Sequence, residues 1–142
     1  MSLESLYQEI IMEHFKAPRN RGEIATPDVS ISMNNPFCGD DITLHLALKD
    51  GKVSDVKFRG RGCAISQASA SLMTEILKGK PMADAMSSAA LFKKMMRGET
   101  KKHEADPLGD IVALEGVRKF PVRVKCALLA WSAFEEGVKG KK

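Results

Sequence analysis

The chain has 142 residues, 44% of them hydrophobic, and a formal net charge of +4. That is enough apolar material for one domain with its own core, which argues against wholesale disorder. The mild basic excess suits acidic partners or surfaces, but it is not the dense basic stripe of a nucleic-acid reader.

At the N-terminus, Leu3, Leu6, Tyr7, Ile10, Ile11, His14 and Phe15 recur at helical spacing, and Pro18 ends the pattern. Glu4, Glu9 and Glu13 interrupt these apolar residues, which rules out a signal-peptide core. A polar connector rich in turn formers follows, then a strand expected near residues 29–33. Residues 41–49 alternate, with Ile42, Leu44, Leu46 and Leu48 on one face and Thr43, His45, Ala47 and Lys49 on the other. Asp50-Gly51 reads as a two-residue hairpin turn leading to a return strand over 53–59. Helices are expected over 66–78, stopped by Gly79 and Pro81, and over 83–97, closed by Gly98. A charged loop at 99–107, a short helix over 108–115 and a last helix over 127–138 complete the chain. The longest late apolar run, 127–131, is too short to span a bilayer, so a cytoplasmic protein without a membrane partner is expected. Strands followed by helices predict an α+β fold, in which a small antiparallel sheet of about three strands carries helices packed on one face. Residues 1–142 are expected to form a single domain.

Three cysteines, an odd number, do not make a closed disulfide set in a reducing compartment. They are either buried small hydrophobes or residues that bind metal or carry sulfur. Their settings favour the second reading. Cys38 sits in the turn Asn34-Asn35-Pro36-Phe37-Cys38-Gly39-Asp40, and Cys63 in Gly60-Arg61-Gly62-Cys63-Ala64-Ile65-Ser66. An antiparallel hairpin brings those two loops to one end of the sheet. Cys126 is expected directly before the last helix, which would put it, like Cys63, at a helix N-terminus where the positive dipole end favours a thiolate. Arg59, Arg61, Arg123 and Lys125 add positive charge nearby. Asp40, two residues from Cys38, is able to reach the same centre, although taken alone it reads more readily as a turn residue making a side-chain-to-backbone bond. Three thiolates and one carboxylate suit Zn²⁺ or iron.

Two other classes fit less well. A cysteine hydrolase needs a base beside the thiol, and His14, His45 and His103 lie at a helix end, mid-strand and in the charged loop. A purely structural zinc module would carry paired C-x₂-C knuckles, which are absent.

The three cysteine segments resemble those of the U-type (NifU N-terminal-like) iron–sulfur cluster assembly scaffold family, closest to its SufU branch. The third segment is Val124-Lys125-Cys126-Ala127-Leu128-Leu129-Ala130, and His14-Phe15-Lys16-Ala17-Pro18-Arg19-Asn20 is similar to the end of that family's first helix. Scaffolds of the ISC branch carry a His just before the third cysteine; here Lys125 stands there. A longer segment containing Asp106-Pro107-Leu108-Gly109-Asp110-Ile111 separates the second and third cysteines. Both features are typical of the SufU branch. The resemblance implies that Cys38, Asp40, Cys63 and Cys126 are the metal ligands, with Zn²⁺ as the ion and a transient [2Fe–2S] or [4Fe–4S] cluster as the alternative. It implies a protein that accepts persulfide sulfur from a cysteine desulfurase of the SUF type, with Cys126 as the attacking thiolate. The alternative is a scaffold that builds a labile cluster and hands it to apo iron–sulfur proteins or other assembly factors. Neither role is that of a stand-alone enzyme; at most the chain is a zinc-dependent sulfurtransferase acting with the desulfurase.

Overall fold

A computed structural model describes residues 3–36 and 39–139. In chain order it contains α1 (Leu3–Lys16), β1 (Val29–Asn35), β2 (Asp40–Lys49), β3 (Lys52–Arg61), α2 (Ala64–Leu77), α3 (Met82–Met96), a 3₁₀ segment (Asp106–Lys119) and α4 (Pro121–Gly137). The α+β expectation holds.

The strands form an antiparallel meander in the order β1-β2-β3. Asp50 and Gly51 both take positive φ, 53° and 75°, and so close the two-residue turn whose twist matches the strands it joins. Ile42, Leu44 and Leu46 are fully buried, as are Val53, Val56 and Phe58 of β3. Val53 and Val56 lie three apart and yet both point inward. The pairing jumps from Ala47↔Asp55 to Leu48↔Val53, so Ser54 is an extra residue that resets the alternation. The same bulge leaves Leu48 only half-buried.

Helix α4 packs on β1 and β2, α2 packs on β3 and on α4, and α1 lies over α2. Helix α2 is therefore central. Its small polar residues Ser66, Ser69, Ser71 and Thr74 are buried along with its apolar ones, which its composition permits only because each finds a partner. Ser69, for example, donates to the Ala127 carbonyl of α4 at 2.6 Å. Phe92 of α3 stacks on Trp131 of α4 with ring centroids 4.9 Å apart, filling the space between those helices.

The connector from α1 to β1 runs across the sheet. Asn20 and Gly22 pair with Phe58 on the free edge of β3, at 3.1 and 2.8 Å. The Ile24 N–H donates to His45 Nδ1 at 3.1 Å, and Asp28 joins β2 through the Leu46 carbonyl at 2.8 Å. His45 is buried under this strap rather than lying at the surface.

Several expected boundaries move. Helix α2 starts at Ala64 and makes Cys63 its N-cap. The short helix expected over 108–115 is a longer 3₁₀ segment kinked at Gly109, whose φ is 73°. The first strand extends to Asn35. Most importantly, α4 begins at Pro121, not after Cys126. Proline suits the first helical position, where no N–H is needed, so Pro121 starts this helix instead of ending a loop.

A candidate metal centre

Three pieces of chain meet at one end of the sheet: the end of the β1–β2 hairpin, the β3–α2 loop and the second turn of α4. Asn35 and Asp40 face each other in the β1–β2 register, and Asp41 pairs with Arg61 at the end of β3. The start of β2 therefore lies against the loop that leads into α2.

Asp40 is 1% exposed. One oxygen, Oδ1, accepts a hydrogen bond from the Cys63 N–H at 2.9 Å. The other, Oδ2, is buried with no hydrogen-bond partner among the described residues. A buried, unpartnered carboxylate oxygen is costly and calls for a cation or a donor.

Cys63 is half-buried. Its carbonyl accepts from the Gln67 N–H and from Ser66 Oγ, both at 3.1 Å, which closes the first turn of α2. Gly62 makes the approach of Asp40 possible. A Cβ there would collide with both Asp40 Oδ1 and Ser66 Oγ, and a Cβ at Gly60 would collide with the Asp41 carbonyl.

Cys126 is fully buried. Because α4 starts at Pro121, Cys126 sits inside the helix and not at its N-terminus, so the dipole reasoning applied to it from the sequence does not hold. Its surroundings differ as well. Asn35 Nδ2 approaches Cys126 Sγ at 3.9 Å, and Sγ lies 3.9 Å from the Val122 carbonyl one turn back. The first contact suits a thiolate and the second a thiol.

One Asp40 oxygen, Cys63 Sγ and Cys126 Sγ all lie within 4.8 Å of one another. Two sulfurs and a carboxylate oxygen at that separation have the composition and spacing of a Zn²⁺ or iron site. The residues present fit such an ion, because it would supply what Oδ2 lacks. Cys38, the remaining candidate, lies outside the described residues. His14, His45 and His103 do not join the cluster. The cysteine motifs alone do not mark Asn35 and Gly62 as functional residues, because what these two touch is set only where three segments converge.

An apolar groove of about 1080 Å³ is lined by Tyr7 and Ile11 of α1, Ile65 of α2, Val117, Phe120 and Arg123 among others. Phe120 and Val122, at the start of α4, are 61% and 63% exposed.

Residues 6–139 match the family described as the NifU-like N terminal domain. The zinc-dependent sulfurtransferase SufU of Bacillus subtilis is 49% identical over 137 residues, covering 96% of this chain and 92% of its own. The iron–sulfur cluster assembly scaffold protein IscU of Streptococcus pyogenes is 38% identical over 137 residues, covering 96% and 85%. Among solved structures, a protein described as an iron–sulfur cluster assembly scaffold for the SUF system of Fervidobacterium islandicum superposes with a TM-score of 0.86. It is 35% identical and covers 96% of this chain and 98% of that one. No helix among the described residues is long and apolar enough to cross a membrane.

Proposed function

The chain belongs to the NifU-like N-terminal domain family, and from that membership we propose that it accepts persulfide sulfur from a cysteine desulfurase and supports iron–sulfur cluster assembly. In this reading it acts in the cytoplasm as one domain, its desulfurase is of the SUF type, and Cys38, Asp40, Cys63 and Cys126 hold Zn²⁺. The observation that carries the reading is the meeting of Asp40, Cys63 and Cys126 around the unpartnered Asp40 Oδ2. The 49% identity to a zinc-dependent sulfurtransferase supports zinc over other ions.

Zinc held there would keep the ligand thiols deprotonated and tie the three segments together. The chain's own residues do the rest. The Cys126 thiolate attacks the outer sulfur of the desulfurase persulfide; a new S–S bond forms on Cys126, and the donor cysteine leaves as a thiolate. Asn35 offers an N–H to the Cys126 sulfur while it is charged. Asp40 keeps Cys63 in place through its backbone N–H while Cys126 reacts. A carboxylate is a harder donor than a thiolate, so Asp40 is the corner that opens with least loss.

The second reading is a scaffold for a labile cluster. It draws on the IscU relative at 38% identity and on the same donor set. One experiment separates the two: assay zinc, iron and sulfide in protein purified with and without air, then measure stimulation of a SUF-type desulfurase. Stoichiometric zinc, stimulation by wild type and none by Cys126→Ala support the sulfur acceptor. Stoichiometric iron and sulfide in place of zinc support the scaffold. Stimulation undiminished in Cys126→Ala would remove Cys126 from the attacking role.

A further inference from the structure

Resting on the metal-centre reading, we propose that Arg21 is a positioning residue that sets the place of Cys63 by clamping both sides of the loop that carries it. Arg21 stands in the connector strap, on the free edge of β3, where its neighbours Asn20 and Gly22 are bonded to Phe58. Its guanidinium lies 5.7 Å from the centroid of the Phe58 ring. From there it forks. Nη2 donates to the Gly60 carbonyl at 2.7 Å, and Nη1 donates to Gln67 Oε1 at 2.9 Å. Gly60 is in β3 before Cys63, and Gln67 is one turn into α2 after it. One planar cation therefore ties the strand end to the helix start, and Cys63 lies on the stretch between.

Two facts point from this clamp toward the centre. The Cys63 N–H is the donor that holds Asp40 Oδ1, so a shift of the loop moves Asp40 as well as Cys63. Gln67 is 5% exposed, and with its oxygen held by Arg21 its Nε2 is left buried without a partner among the described residues. Residues four apart share a helix face, which puts this spare donor on the side of α2 that begins at Cys63. A lysine reaches only one of the two acceptors, so the fork requires arginine.

The full chain, freed of zinc, is titrated with Co²⁺, and with Zn²⁺ against a chromophoric chelator, alongside urea unfolding of the metal-free protein. Arg21→Met is expected to lose roughly 10- to 100-fold in zinc affinity, the usual effect of losing a group that orients a ligand, and to alter the Co²⁺ d–d absorption. Arg21→Lys is expected to recover part of both. Asn20→Gly removes the adjacent Asn20–Thr74 bond of 3.0 Å and loosens the same strap without touching the fork. It is expected to lower the urea midpoint and to leave both metal readouts at wild-type values. Should Arg21→Met fail to fold, Gln67→Met removes the acceptor, keeps Arg21 and is expected to change the same metal readouts. Wild-type affinity and spectrum in the clamp variants overturn the proposal, as does an Asn20→Gly chain that matches them. A wild-type chain that takes up neither ion overturns the metal-centre reading instead, and is told apart because no variant is then needed to see it.

Discussion

Replacing Gly62 with Ala tests how the centre is assembled. The added methyl group meets Asp40 Oδ1 and Ser66 Oγ, and the backbone at Gly62 is not in the left-handed region, so the whole cost is steric. Ser66 can turn away, giving up its 3.1 Å bond to the Cys63 carbonyl at about 1 kcal/mol. Asp40, 1% exposed, has nowhere to go without releasing the Cys63 N–H, a charge-assisted bond of about 1.5–3 kcal/mol. Alanine recovers about 0.4–1 kcal/mol by restricting the unfolded chain. The expected net loss is ~1.5–3.5 kcal/mol in urea unfolding of the zinc-free protein. In chelator competition the loss in zinc affinity should reach about 10- to 100-fold, because a ligand and its anchor both move. Gly116→Ala is the control. Its Cβ meets nothing within 4 Å, so that variant should match wild type or gain up to about 1 kcal/mol. A Gly62→Ala chain within 0.5 kcal/mol (roughly the reach of an ordinary surface substitution) and with unchanged zinc affinity would refute the close packing on which the site depends.

Other consequences follow from particular contacts. His14 is buried against Ser71, whose hydroxyl accepts the Arg19 N–H and shares a hydrogen bond of 2.7 Å with His14 Nδ1. Burial holds the imidazole below its ordinary range, with the Arg19 charge adding to this and Glu75, Glu13 and Asp110 opposing it. The unfolded chain therefore binds the proton more readily. The His14 contribution is complete above about pH 6.5 and is lost as pH falls below it. The urea midpoint should drop between pH 7 and 5 by more in wild type than in His14→Gln, and equal drops would contradict this. The Trp131 Nε1–H has no partner among the described residues, so Trp131→Phe gives up packing alone. It should cost under about 2 kcal/mol by circular dichroism melts, against about 3–5 for Trp131→Ala. Asp40→Ala should weaken zinc retention and change the rate of sulfur or cluster transfer. An unchanged transfer rate would remove Asp40 from the opening corner.

What could be read in advance was whatever depends on local period and turn chemistry. The alternation of Ile42, Leu44 and Leu46 and the positive φ at Asp50 and Gly51 each reflect a constraint within a few residues. The start of α4 was misplaced because Pro121 carries two meanings, a break in a loop or a helix's first residue, and Val122 and Val124 have little helical preference of their own. What resolves the choice is tertiary: α4 lies across β1, β2 and α2, a surface no local pattern reveals. Arg21 was invisible for the same reason. Its acceptors at Gly60 and Gln67 lie 39 and 46 residues away along the chain.

In the proposed sulfur-acceptor role, the place of Cys126 inside α4 changes how sulfur would reach it. Placed before a helix, the thiol would sit in a loop with free N–H groups around it. Placed inside α4, it is sealed, with Asn35 on one side and the preceding turn on the other. Cys63, half-buried at the head of α2, is the more open of the two. In the proposed sulfur-acceptor role, an incoming persulfide would therefore reach the Cys126 sulfur only after a change in the packing around it. Asp40 and Cys63 are bonded through the Cys63 N–H, and Arg21 ties the chain on either side of Cys63, so in the proposed role Asp40 can let go of an ion through Oδ2 while Oδ1 keeps Cys63 in place.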